Sequence, residues 1–245
     1  MAIWGNSFYM ALTHRKKRPI DRCLEVVGDT RLLIIATEGR ITEKQYFALF
    51  RNRRVQVKVI PTGEDNKSSP EYILRRLKDF RQEYALKADD ELWLMIDVDR
   101  WKDKKLKSVT KEAKDCGFQL AVSNPCFETW LLCHYILPTI TTSTCQKITE
   151  QLNDELKKRH NCGYNKAKLN TDCFKSYVKQ AVQNAKQLDN NPKARWLNQV
   201  GTHVYKSEKA QQMLAKMPET ELQRARSLSQ VNIIETLHLK PANLS

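Results

Sequence analysis

Glycine is scarce in this chain, with seven in 245 residues. Neither a G-x-G-x-x-G run nor a P-loop occurs. That excludes the usual glycine-built phosphate cradles and argues against nucleotide-powered work within the chain itself. The seven cysteines (Cys23, Cys116, Cys126, Cys133, Cys145, Cys162 and Cys173) form no C-x-x-C pair, so zinc-site spacing is absent. They read as small buried hydrophobes in a reducing compartment. Cys126 and Cys133 have no base beside them in sequence and read as core rather than as nucleophiles. No apolar run reaches 18 residues, so no membrane span is expected. Met1–Trp4 comes before the basic run Arg15–Arg18, the reverse of a signal peptide, and the expected location is the cytoplasm. Internal repeats and low-complexity tracts are also missing.

Positive charge is what the chain has in excess. Lys and Arg number 42 against 28 acids, a net +14. This is the footprint of a nucleic-acid partner, although an anionic membrane surface or plain solubility would use the same charge. Hydrophobic residues make up 41 %, enough for a core. The length suits one generous domain, or one domain with a helical extension.

Residues 1–30 form a basic lead-in. Arg31–Thr37 (RLLIIAT) is a continuous apolar run, as expected for a strand buried on both faces. A helix is predicted from Thr42, as N-cap, to about Asn52. A strand follows at Val55–Ile60, then a polar loop, then a helix from Pro70 to about Leu86. Glu91–Ile96 is the third strand, 102–116 a basic helix stopped by Gly117, and Phe118–Val122 the fourth strand. Pro125 is placed in the first turn of a helix that stops before Pro138. Strand and helix thus alternate over 31–138, which predicts an α/β fold with a mostly parallel sheet flanked by helices. Residues 139–245 form a helical C-terminal region, with helices at 144–159, 169–188, 208–216 and 219–227 and no further strand.

Two strands end on acids. Glu38 precedes Gly39, and Asp97 and Asp99 close the third strand. In open α/β sheets ligands bind beyond the carboxyl ends of strands. Residues i and i+2 of an extended segment face one way, so Asp97 and Asp99 aim at one spot. Like charges so placed need a cation or a shifted pKa, and carboxylate oxygens suit Mg²⁺, with Mn²⁺ as the alternative. Glu38 is also readable as a solvated strand-end acid, Glu43 as an acid favoured by the helix dipole, and Asp99 as a helix cap. Asn124 ends the fourth strand on the same rim, with Glu128 four residues on and His134 six beyond that. A His on an apolar helix is usually a packed, hydrogen-bonded one. Lys102, Lys104 and Lys105 follow the Asp pair and are placed to grip a phosphate backbone. Arg51–Arg54, Arg75, Arg76, Lys78, Lys157–Arg159, Lys166 and Lys168 extend the basic series, with Trp101, Tyr164 and Trp196 as interleaved aromatics able to stack on bases. His203 stands in a polar join, placed either at the site or on the surface.

Together, Glu38-Gly39 with Thr42-Glu43 and Tyr46-Phe47, then Asp97-Val98-Asp99, then Ser123-Asn124-Pro125-Cys126-Phe127-Glu128-Thr129-Trp130-Leu131-Leu132-Cys133-His134 resemble the RloB-like family, within the wider Toprim-like group. The last stretch is the most specific, and the resemblance covers about residues 30–205. It implies a Toprim-like sheet and a Mg²⁺-dependent nuclease of bacterial phage defence and abortive infection. In similar systems such a chain is a toxin on RNA, transfer RNA included, beside a separate ABC- or SMC-like ATPase. Gly201-Thr202-His203 matches the family's late segment only in half. On this reading Glu38, Asp97 and Asp99 hold metal, with Glu38 also the general base, and Glu43 and Glu128 join the catalytic set. Asn124, His134, Lys102, Lys104, Lys105 and His203 touch substrate. A homodimer when active is a further expectation. The alternatives are a non-catalytic nucleic-acid-binding sensor or adaptor, and a DNA-cleaving Toprim nuclease.

Overall fold

The computed structural model describes residues 16–20, 30–50, 55–63, 67–98, 101, 103–139 and 144–207. Five strands form one sheet: β1 (Arg31–Ala36), β2 (Val55–Ile60), β3 (Glu91–Asp97), β4 (Gln119–Asn124) and β5 (Gly201–Thr202). Their order is β2-β1-β3-β4-β5, parallel except for β5 against β4. Seven α-helices accompany them among the described residues: α1 (Thr42–Phe47), α2 (Pro70–Glu83), α3 (Asp103–Asp115), α4 (Glu128–Leu132), α5 (Cys145–His160), α6 (Asp172–Lys175) and α7 (Val178–Leu188). The architecture is α/β, as the alternation predicts.

The apolar runs serve two layers at once. Leu33, Ile35, Val57, Trp93 and Met95 face α1 and α4–α7. Ala36, Leu94 and Ile96 face α2 and α3, which bring Ile73, Leu77, Leu106 and Val109. Side chains alternate across a strand, so a strand covered on both faces must be apolar throughout. Chain order turns around at β1: β2 lies on one side of it and β3 on the other. Such a switch point opens a crevice at the strands' carboxyl ends.

Several local expectations are corrected. Strands do not vanish after residue 139, because Gly201–Thr202 pairs with Ser123 and Asn124. The later helices add to the main core: Ile148, Leu152, Phe174 and Ala181 pack with Leu33 and Met95. The predicted 169–188 helix is two helices, interrupted at Ser176–Tyr177. Thr42 is the first helical residue rather than the N-cap; the cap position is Ile41, which has no side-chain bond to give. Pro125 stands ahead of α4, joined to Asn124 by a cis bond. Part of the basic lead-in is packed: Arg18 reaches Asp90 and the carbonyl of Thr30, and Lys17 accepts a bond from Ala85. The expected helices at 208–216 and 219–227 lie outside the described residues. No described helix is long and apolar enough to cross a membrane.

His134 sits in the core, fully buried among Tyr46, Trp130 and Phe174. Its Nδ1–H donates to the Trp130 carbonyl (3.0 Å), which leaves Nε2 to accept from the Tyr46 hydroxyl (3.0 Å). Burial pushes its pKa down to about 4, against the pull of the Trp130 and Leu131 carbonyls. The unfolded chain therefore takes up this proton first as pH falls, and stability drops between about pH 6.5 and 4. The loss from His134 alone is about 2 kcal/mol at pH 5 relative to pH 7. Urea midpoints of the wild type and of a His134→Gln variant should converge as pH falls from 7 to 5. Parallel curves would mean that His134 is not the group titrating.

Candidate functional site

A cleft of about 380 Å³ opens at the carboxyl ends of β1 and β3, at the switch point. Glu38, Glu43, Asp97 and Glu128 line it, with Arg40 and Lys166. Four acids from four segments meet in one place, and three of them are buried: Glu38, Glu43 and Glu128.

The turn after β1 is fastened from below. Thr62 donates its hydroxyl to the Glu38 carbonyl (2.7 Å), and Arg76 donates to the Thr37 carbonyl (2.8 Å). The Glu38 carboxylate then accepts, at Oε2, the Trp101 indole N–H (3.2 Å) and a long bond from the Asp97 backbone N–H (3.4 Å). This contact ties the end of β1 to the end of β3.

Glu43 turns back from α1 to accept the Gly39 N–H (3.0 Å). A Cβ on residue 39 would lie 2.1 Å from its Oε2, so only glycine admits this approach. Burial, seconded by the charges of Glu128 and Glu38, pushes the Glu43 carboxyl up to about 7, although backbone hydrogen bonds oppose the rise. A carboxyl near 7 exchanges its proton at neutral pH, as general acid–base chemistry requires.

Glu128 opens α4. Its Oε1 accepts from the Tyr164 hydroxyl (2.8 Å) and pairs with Lys166 (2.8 Å). The join that carries Tyr164 and Lys166 is held over α1 by Thr42, which donates to the Lys166 carbonyl, and by Gln45, which bonds Ala167 and Leu169. Burial and the Glu128 charge drive the Tyr164 phenol pKa up, so it stays a proton donor.

Cys126 and Cys145 form a disulfide in the cleft wall, where the sequence suggested packed thiols. Cys145 Sγ lies 3.6 Å from Glu128 Oε2. A disulfide sulfur carries no proton, so this is a contact and not a donated bond. Cys126, Glu128 and Cys145 form a group that could hold a metal ion. Burial raises the Cys133 thiol pKa and leaves it inert in the core.

The remaining predicted residues are distributed differently. Asn124 donates to the Leu197 carbonyl (2.8 Å), away from the cleft. His134 is sealed in the core, so substrate contact through it is ruled out by burial. His203 is neither on the surface nor at the cleft. It is buried, its backbone N–H donates to the Val122 carbonyl (2.7 Å), and its Nε2 stands 3.2 Å from Asp189. Burial, with Lys206 adding to it, lowers its pKa to about 4. Lys105 pairs with Glu71 (3.0 Å) and lies over the Trp101 ring, while Lys104 is exposed; neither lines the cleft. Asp99 and Lys102 lie outside the described residues, as do Arg51–Arg54. Sequence reasoning missed the pairing of Cys126 with Cys145 and the bond from Trp101 to Glu38. It named Tyr164 and Lys166 only as nucleic-acid contacts. Pairing across 19 to 63 residues leaves no local pattern to read.

Fold and site define a class: an α/β protein with an acid-lined cleft at a sheet switch point. The RloB-like protein family model matches residues 33–207, and the chain belongs to that family. No curated protein matches it. No solved structure does either.

Proposed function

We propose that this chain is a divalent-metal-dependent, Toprim-like nuclease acting on RNA, with transfer RNA favoured, as the toxic effector of a phage-defence system. The meeting of Glu38, Asp97, Glu43 and Glu128 in one cleft carries this reading. RloB-like membership and the net charge of +14 support it. The lack of a P-loop suits an effector whose ABC- or SMC-like ATPase is a separate chain. The active form is proposed as a cytoplasmic homodimer.

The donor set fits a hard cation. Its groups are carboxylate oxygens, two of which, Glu38 and Asp97, come from adjacent strand ends. Mg²⁺ or Mn²⁺ there would supply a water of lowered pKa and charge for the scissile phosphate. Glu38, Asp97 and Asp99 hold the ion in this reading. Glu43, in place of Glu38, carries the proton in this reading, because burial raises its carboxyl to about 7. Arg40 and Lys166 at the cleft face the phosphate backbone.

The test is expression of the wild type and of Asp97→Ala/Asp99→Ala, followed by sequencing of total RNA, alone and with the ATPase partner. New transfer-RNA ends in the wild type only are expected. Intact RNA in every arm, with soluble protein and bound RNA, would leave a binding subunit and overturn the nuclease reading. Gly39→Ala gives a finer check. The clash falls on the flexible end of Glu43, so the fold should stand while that carboxylate is displaced. Cleavage should fall by about 10²-fold, the low end of general acid–base contributions of about 10²- to 10⁴-fold, with the thermal midpoint little changed. Wild-type cleavage by this variant would remove Glu43 from the mechanism.

A further inference from the structure

We propose that Cys126, Cys145 and Glu128 form a zinc site when the cysteines are reduced, and that the disulfide is its metal-free, oxidised state. The site is separate in chemistry from the hard-cation reading, because two of its three ligands are sulfur. Soft and borderline ions such as Zn²⁺ take thiolates, and Mg²⁺ does not.

The ligand atoms already converge, all lying within 4.8 Å of one another. The two Cα atoms are 5.7 Å apart. Two thiolates on one tetrahedral zinc, each about 2.3 Å from the metal, stand about 3.8 Å from each other. Side-chain rotation within the existing backbone covers that change. Glu128 presents Oε2 to Cys145 Sγ at 3.6 Å. Its other oxygen is held by Tyr164 (2.8 Å) and Lys166 (2.8 Å), the kind of outer support that orients a ligating carboxylate. Cys145 is the first residue of the 16-residue helix α5, with Thr144 as its cap. A helix N-terminus favours the thiolate. Three protein ligands beside the cleft leave a fourth position open to water or substrate, the arrangement of catalytic rather than structural zinc.

The chemistry balances in both directions. On binding, Zn²⁺ takes two thiolates and one carboxylate, and the two thiol protons go to solvent. On oxidation by a low-molecular-weight disulfide, the two protein sulfurs join, the small disulfide leaves as two thiolates, and Zn²⁺ is released.

Cobalt(II) serves as the probe, since thiolate ligation gives it charge-transfer absorption in the near ultraviolet. The readout needs no nuclease activity, so its failure and the failure of the proposed function are separate events. Reduced wild type titrated with Co²⁺ alone should develop this band at one equivalent. Added Zn²⁺ should erase it, and excess Mg²⁺ should leave it unchanged. Cys126→Ser and Cys145→Ser should lose the band. Tyr164→Phe should keep it and weaken binding by about 10- to 100-fold. The wild type oxidised with glutathione disulfide should bind no Co²⁺ through sulfur, a control that requires no substitution. No band in the reduced protein overturns the proposal. So does a band that survives both serine variants, which would trace the metal to Cys162 and Cys173, whose sulfurs lie 3.4 Å apart.

Discussion

Glu38→Gln is expected to keep the fold and to lose cleavage by about 10²- to 10⁴-fold, the range that a positioned acid–base or charge-bearing group contributes. The amide has the shape of the carboxylate, and its oxygen still accepts from Trp101 and from the Asp97 N–H. The strand ends therefore stay tied. What disappears is the negative charge, and with it the affinity for a hard cation. Asp97→Asn, from the adjacent strand, should act in the same way and in the same range. Three measurements separate the causes: kcat on a transfer-RNA substrate, Mn²⁺ affinity by calorimetry, and the thermal midpoint. Loss of the first two with the third intact is the expected pattern. Wild-type cleavage by either variant would take the metal away from the ends of β1 and β3.

Asp90→Ala should destabilise the protein by about 3–5 kcal/mol, the usual effect of removing one member of a buried ion pair. The Asp90 side chain is fully buried and holds the Arg18 guanidinium through both oxygens, at 2.6 and 2.8 Å. It also accepts the backbone N–H groups of Leu32 (2.8 Å) and Lys87 (2.7 Å). Alanine removes the charge that faces the Arg18 guanidinium and the acceptor of two backbone N–H groups, the Leu32 bond being buried. Arg18→Ala should do less harm, because the carboxylate keeps its two backbone donors. Urea unfolding of the two variants gives the order. If Arg18→Ala were as damaging as Asp90→Ala, the backbone bonds would contribute nothing and the ion pair alone would matter.

The parts of the molecule that were legible in the sequence are those whose signal is local. RLLIIAT and ELWLMI read as strands because each must be apolar on both faces. Glu38 and Asp97 were legible as strand-end acids for the same reason: an ionisable residue directly after a buried run has few places to be. β5 was not legible, since two residues have no period. His203 was misplaced with it, because its burial comes from packing beside that short strand. His134 was named for chemistry, yet the surrounding Tyr46, Trp130 and Phe174 make it core. Asp90 carries no local signal in the sequence, and its burial goes with bonds to Arg18, 72 positions away, and to Leu32, 58 positions away.

The cleft is roofed by residues that lie far along the chain from its floor. Thr42 meets Lys166 across 124 positions, and Gln45 meets Ala167 across 122. At a ribosome's pace of about 5–20 residues per second, roughly 6–25 seconds pass between the synthesis of the two sides. During that interval β1, α1 and their acids exist without Tyr164, Lys166 or the helices that cover Leu33 and Met95. A nascent chain can thus carry every strand-end acid and still have no enclosed cleft. Synthesis of the protein and completion of its site are separate events in time, and a chain broken off before residue 166 stays on the incomplete side of that divide.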